Sequence, residues 1–225
     1  MGPGVVTGLA REAACLDVVP EGERARVGCA GMGPRAAASA ACDLLKSGCT
    51  GLVSFGVAGA LVPDLRAGDL VIADAVVSAS GEVLACDIPW RQRLGSRMSG
   101  RHTGGLLAGS DAPLFGAKDK RLLADASGAC AVDMESHAVA DIARRAGVPF
   151  VTIRAIVDPL ERSIPAWVAG GIDAYGRPRL TRLIAGIAAH PGDLKTLLRL
   201  GREQACALKT LRRAALDAGA FLAFD

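Results

Sequence analysis

The sequence predicts a single α/β domain over residues 1–225, with helices flanking a central mixed, largely parallel, twisted sheet and a helical C-terminal third. Three observations carry that expectation. Apolar runs rich in β-branched residues alternate with helical patterns as far as about residue 160, as in a sheet covered on both faces. From about residue 165 the strand-like runs stop and helical periods take over. A chain of 225 residues, 51% of them hydrophobic, is long enough for one good core and short for two.

Taken in order, "GVVTGL" (4–9) and "ARVGCAG" (25–31) read as strands, "GPRAAASAACDLLKSG" (33–48) as a helix and "TGLVSFGVAGAL" (50–61) as a buried strand. "GDLVIADAVVSAS" (68–80) and "EVLAC" (82–86) continue the strands, with Gly81 at the turn between them. Residues 88–105 have no clear period and many breakers, so they read as a loop. The helix "KDKRLLADA", the strand "ACAVDM", the helix "ESHAVADIARRAG" and the strand "PFVTIRAIVD" follow. Helical segments at 165–175, 178–190 and 193–218 complete the chain. In the last of these, Leu194, Leu197, Leu198, Gly201, Ala205, Leu208, Leu211 and Ala215 keep one apolar stripe, which predicts an amphipathic helix closing the sheet.

Composition excludes several function classes. With 26 basic and 23 acidic residues, a net charge of +3 and 4% aromatic residues, the chain lacks both the basic balance and the stacking platforms of a nucleic-acid binder. The seven cysteines are odd in number, show no CxxC spacing and sit mostly among Ala, Val and Leu, as small core thiols do in a reducing cytoplasm. No apolar run approaches the ~20 residues that span a bilayer, and no signal segment precedes the first strand, which predicts a cytoplasmic protein. His102, His137 and His190 have no metal-ligand spacing, so no metal is implied.

In open α/β sheets, reactive groups gather beyond the carboxyl ends of strands. Three such ends carry acids: "GLARE" (8–12) after the first strand, Asp133 and Glu135 after "ACAV", and Asp158 after "FVTIRAIV". An acid just past a strand is commonly a helix N-cap, and that reading fits Asp133 best; Ser136 reads as a local cap as well. Arg154 precedes Asp158 by four residues, so a two-residue period puts both on one face, where Arg154 either positions Asp158 or holds a structural acid.

"GMGPRAAASAA" (31–41), "SFGVAGALVPDLRAGDLVIAD" (54–74) and "VDMESHAVADIARRAGVPFVTIRAIVD" (132–158) resemble the purine nucleoside phosphorylase and methylthioadenosine/adenosylhomocysteine nucleosidase superfamily. The order is a glycine loop, V-x-M-E-x-x-A, then R-x-x-x-D. Within it, "GLAREA" and the basic, helical C-terminal third look most like the hopanoid-associated phosphorylase branch. The resemblance implies a three-layer αβα fold, a homo-oligomer and no cofactor beyond inorganic phosphate as a co-substrate. It makes Glu135 the acceptor of the ribose hydroxyls and the stabiliser of the cationic sugar, Met134 the floor under the ribose, and Asp158 the acid that protonates purine N7, with Arg154 beside it.

For the attacking group, the resemblance points to Gly8, Arg11, Glu12, Arg35 and Gly56 as the residues that hold phosphate or water. Hydrolytic members carry a run of acids after the first glycine loop. Aligned on that loop, Ala13 stands at the water-activating place, and a shift by one residue brings in Glu12. The expectation is therefore phosphorolysis of adenosylhopane, with hydrolysis of methylthioadenosine or adenosylhomocysteine, or a non-catalytic adenosine-binding or membrane-docking module, as alternatives. Nine basic residues between Gly176 and Arg213 further predict contact with an anionic membrane surface or a solvated helix face. Trp90, Met98, Ile164, Trp167 and Val168 are candidates to wall a channel for a lipid-like tail.

Overall fold

A computed structural model describes residues 2–20, 22–165 and 167–224. The strands are β1 Gly4–Thr7, β2 Arg26–Cys29, β3 Leu52–Ala60, β4 Leu70–Val71, β5 Ala75–Val77, β6 Val83–Ala85, β7 His102–Thr103, β8 Leu106–Gly109, β9 Ala131–Asp133 and β10 Phe150–Asp158. The helices are α1 Ala10–Ala13, α2 Pro34–Lys46, α3 Ile88–Arg97, α4 Ala117–Ser127, α5 Ser136–Ala146, α6 Trp167–Gly170, α7 Leu180–Ala189 and α8 Leu194–Ala218. All the strands join one mixed sheet with the path β6-β5-β8-β9-β3-β10-β4-β7, and β1 bridges β3 to β2. Most pairs are parallel; β3 with β9, β10 with β4 and β5 with β6 run antiparallel.

The nine-residue strands β3 and β10 form the spine, and the two-residue period along them separates two cores. Ala58, Ala60, Phe150 and Ile156 pack against Ala37, Ala41 and Leu44 of α2 and against Val139, Ala140 and Ala143 of α5. Val53, Phe55, Val151, Ile153 and Ala155 face the other way, onto Trp90 and Leu94 of α3 and Ala207, Leu211, Ala214, Ala215 and Ala218 of α8. Helices thus cover both faces, giving the expected three layers. Among the described residues no helix is long and apolar enough to cross a membrane.

Three local expectations change. Within the predicted loop 88–105, residues 88–97 form α3, started by the Asp87 side chain accepting from the Trp90 amide at 2.8 Å and by proline in the first turn. Trp90 is consequently core and not a channel wall: it is 0% exposed, its indole N–H donates to the Leu222 carbonyl at 2.7 Å, and its ring meets Phe224 edge-on at 4.6 Å. Along α8 the apolar stripe packs only in its second half, whereas Leu194 and Leu198 lie in solvent, Leu198 at 59%.

The helix-capping and packing roles of this segment set its cost of disruption. Trp90→Ala empties a fully buried site and orphans a carbonyl, and is expected to cost about 3–5 kcal/mol in a denaturant titration.

Candidate active site

Four chain segments meet at the carboxyl ends of β1, β3, β9 and β10. Their centre is the Arg154 guanidinium, 1% exposed in the interior of the sheet. A buried cation needs compensation. Asp133 supplies it, with its carboxylate 2.6 Å from Arg154 Nε. The hydroxyls of Ser54 and Ser136 accept from Nη2 at 2.6 and 3.0 Å, and the Val57 carbonyl lies 3.4 Å from Nη1.

Asp133 also starts α5, since its Oδ1 accepts from the amides of Glu135 at 3.1 Å and Ser136 at 2.9 Å. The reading of Asp133 as a helix N-terminal acid and of Ser136 as a local polar partner holds, with Arg154 added to both. Glu135 stands 3.9 Å from Arg154 Nη2 and accepts from the Gly33 amide at the start of α2, at 3.0 Å. Burial pushes its carboxyl above the ordinary value, Arg154 pulls it down, and Asp133 pushes it up again. Met134 beside it is half-buried.

Glu12 is the third acid. It sits in the first turn of α1 and is buried, and its side chain reaches back to the amides of Leu9 at 2.8 Å and Gly8 at 3.0 Å. Its other oxygen accepts from the Val57 amide on β3 at 2.8 Å. Burial raises its pKa from 4.5 to about 7; Arg154 and the amides oppose that rise, and Glu135 reinforces it. Ala13, the other residue aligned with the water-activating place, lies outside this grip.

The glycines explain how the groups come so close. A Cβ on Gly8 would stand 3.0 Å from Glu135 Oε1, and one on Gly56 would run into both Arg154 Nη1 and Glu12 Oε1. Glu12, Glu135, Arg154, Gly8 and Gly56 therefore form one cluster. Arg11 and Arg35 do not join it in the structure; both side chains are exposed, on α1 and α2.

Asp158 does not share a face with Arg154. A register irregularity between Ile156 and Asp158 puts Asp158 opposite Gly59, one residue on from Ala58, which pairs Ile156. Its carboxylate pairs with Lys120 of α4 and lies 3.2 Å from where a Gly59 Cβ would be. Arg154 accordingly holds a structural acid and is not the group that positions Asp158. Burial raises the Asp158 carboxyl above its ordinary range, and Lys120 opposes that rise only in part.

Sequence reasoning missed Lys120, although its signal was present. Lys120, Leu123 and Ala124 follow helical spacing, and the two apolar residues turn inward against Leu61 and Val132. Of the other singled-out residues, His137 lies 3.3 Å from Asp111, and Trp167 donates to Asp193 at 2.9 Å and stacks on His190.

The mixed αβα sheet gathers buried acids and glycine turns at the ends of its central strands, the region where open α/β sheets place their ligands. The chain belongs to the phosphorylase superfamily, whose family profile matches residues 14–170, beginning two positions after Glu12. It is 31% identical over 165 residues to the futalosine hydrolase of Streptomyces coelicolor, covering 63% of this chain and 70% of that one. A 5′-methylthioadenosine/S-adenosylhomocysteine nucleosidase of Actinobacillus succinogenes is 30% identical over 127 residues, covering 48% of this chain and 55% of that protein. The fold is shared with the corresponding nucleosidase of Neisseria meningitidis in complex with methylthio-immucillin-A, at a TM-score of 0.72 and 16% identity over 96% of each chain. It is shared also with the native futalosine hydrolase of Helicobacter pylori, at a TM-score of 0.67 and 18% identity over 94% of this chain and 96% of that one.

The crowding at Gly56 is testable. Gly56→Ala drives a methyl between Arg154 and Glu12, and is expected to lower stability by about 1–3 kcal/mol in thermal unfolding, with loss of activity in the folded fraction.

Proposed function

We propose that this chain hydrolyses the N-glycosidic bond of a 5′-modified adenosine, with water as the acceptor and adenine as the leaving base. The observation that carries this reading is the grip on Glu12, a buried carboxyl held by three backbone amides beside Glu135 and Arg154. With its pKa at about 7 it takes a proton from water near neutral pH. The names of the relatives, a hydrolase and a nucleosidase, support the same chemistry.

As the bond lengthens, positive charge grows on the ribose and negative charge on the purine. Glu135 accepts the ribose hydroxyls and offsets the first, over the half-buried Met134. Asp158 supplies a proton to N7 and offsets the second. Gly56 lies against Glu12 and Arg154, and Gly59, three residues further along β3, lies against Asp158.

The geometry favours water over phosphate. Phosphate needs unengaged cations or amides. Here the amides of Gly8, Leu9, Gly33 and Val57 bind carboxylates, and Arg154 binds Asp133.

The exposed surface of α7 and α8 supports a second, narrower reading, in which the substrate is adenosylhopane or another nucleoside with a lipid-like tail. Leu180, Ile184 and Leu198 are 66%, 67% and 59% exposed on α7 and the first half of α8, among exposed Arg179, Arg182, Lys195, Arg199 and Arg202. Apolar side chains ringed by cations suit an anionic membrane surface on which such a tail resides.

Incubation with methylthioadenosine, adenosylhomocysteine and adenosylhopane, with and without phosphate, tests the acceptor. Adenine release is expected to be unaffected by phosphate and to yield the free sugar; dependence on phosphate, or a sugar 1-phosphate product, would overturn the hydrolytic reading. Glu12→Gln is expected to lower kcat by about 10²–10⁴. Because Glu12 acts ionised, wild-type kcat should hold above its pKa of about 7 and fall below it. In sedimentation with vesicles containing phosphatidylserine, the protein should pellet and Leu180→Glu with Ile184→Glu should not; equal pelleting would remove the membrane reading.

A further inference from the structure

Lys120 is a cation in the interior. Its side chain is 1% exposed, on the inward face of α4. Its ammonium has three N–H groups and meets three acceptors: the Asp158 carboxylate, the Pro159 carbonyl at 2.9 Å and the Arg162 carbonyl at 3.4 Å. The surroundings are closed by charge as well. Arg162 donates from Nε to Glu203 of α8 at 3.1 Å, tying the segment after β10 to that helix, and an exposed Arg121–Glu161 pair lies outside it. The charged groups facing Asp158 are thus Lys120 from α4, Arg162 from its own loop and Glu203 from α8.

This arrangement conflicts with a simple acid role. The proposed hydrolysis, on which any catalytic part for Lys120 rests, needs a proton for the departing purine, yet a carboxylate paired with an ammonium has none to give. The acceptor count resolves the conflict. An uncharged amine keeps two N–H groups, enough for the two backbone carbonyls, so the N–H aimed at Asp158 is the one that can leave.

We propose that Lys120 is the proton store for Asp158: it passes a proton across the ion pair to the carboxyl, which delivers it to the purine as the base departs. The C1′–N9 bond breaks with its electron pair going to the purine; N7 gains a proton, Lys120 becomes the neutral amine, and Asp158 ends as it began, a carboxylate. Solvent reprotonates Lys120 after adenine leaves. Lys120 acts through Asp158 and does not touch the substrate.

The two possible roles of Lys120 predict shifts of opposite sign. If Lys120 supplies the proton, the reactive form is the ion pair, and removing the ammonium narrows the active range from the alkaline side. If Lys120 only holds Asp158 ionised, it opposes the acid, and removing it extends activity to higher pH.

The test follows adenine release by the full chain against pH for wild type, Lys120→Met and Lys120→Arg, with Tm recorded for each. Lys120→Met is expected to move the alkaline limb of kcat down by about one pH unit or more. Lys120→Arg, which keeps the charge and does not release a proton, is expected to lose about 100-fold at every pH. The wild-type limb itself should move to lower pH on warming, as an amine's ionisation does and a carboxyl's does not. An upward shift in Lys120→Met, full activity in Lys120→Arg, or a wild-type limb insensitive to temperature would overturn the proposal. The last measurement needs no variant and decides the matter if both substitutions fail to fold. Adenine release combined with any of these results sinks the proton store alone, whereas no release from any nucleoside tested sinks the functional reading and the store with it.

Discussion

The site is organised by one ion pair, between Arg154 in the middle of β10 and Asp133 at the end of β9. A guanidinium at that depth is tolerated because a carboxylate and two hydroxyls meet it, and removing either charge would leave the other buried and unmatched, at a cost of about 3–5 kcal/mol. The pair sets the charge around it. Glu135 and Glu12 share the same guanidinium with Asp133, so a single cation faces three buried acids. Its attraction cannot fully offset burial for the two that remain, and both carboxyls rise above their ordinary range.

Backbone donors complete that balance and tie the helix starts together. Glu12 turns back on the loop that begins α1 and crosses to β3, Glu135 joins the start of α5 to the start of α2, and Asp133 caps α5. Each carboxylate satisfies amides that a helix or loop would otherwise leave open. The acids therefore shape the site through the backbone they hold. Glycine at 8 and 56 is the counterpart of this crowding, since a side chain at either position would occupy space that a charged group needs.

Much of this was legible in the sequence, for reasons that can be stated. Strands and helices through β10 follow from period and composition, because buried strands and covering helices obey different repeats. Glu135 and Asp158 were marked by position at strand ends and by a family resemblance. Other features were hidden. The start of α3 is set by a capping aspartate and a proline inside a stretch rich in Arg and Gly, where no apolar period announces a helix. The first half of α8 repeats the apolar pattern of the second half without a sheet beneath it, so the pattern overstates packing. Lys120 was masked by its charge, which reads as solvent-facing in a helix whose inward side it shares. Glu12 stood one residue from the aligned water-activating place, and its reach to the Val57 amide of β3 has no local pattern to announce it.

The irregularity in β10 reaches beyond this chain. Because one additional residue is accommodated between the arginine and the aspartate, the two end up wired to separate partners even though the spelling R-x-x-x-D is intact. In a strand without the kink the same five letters would set the two side chains on one face, about 13 Å apart. The same spelling thus specifies different partners according to whether the strand runs straight or kinks.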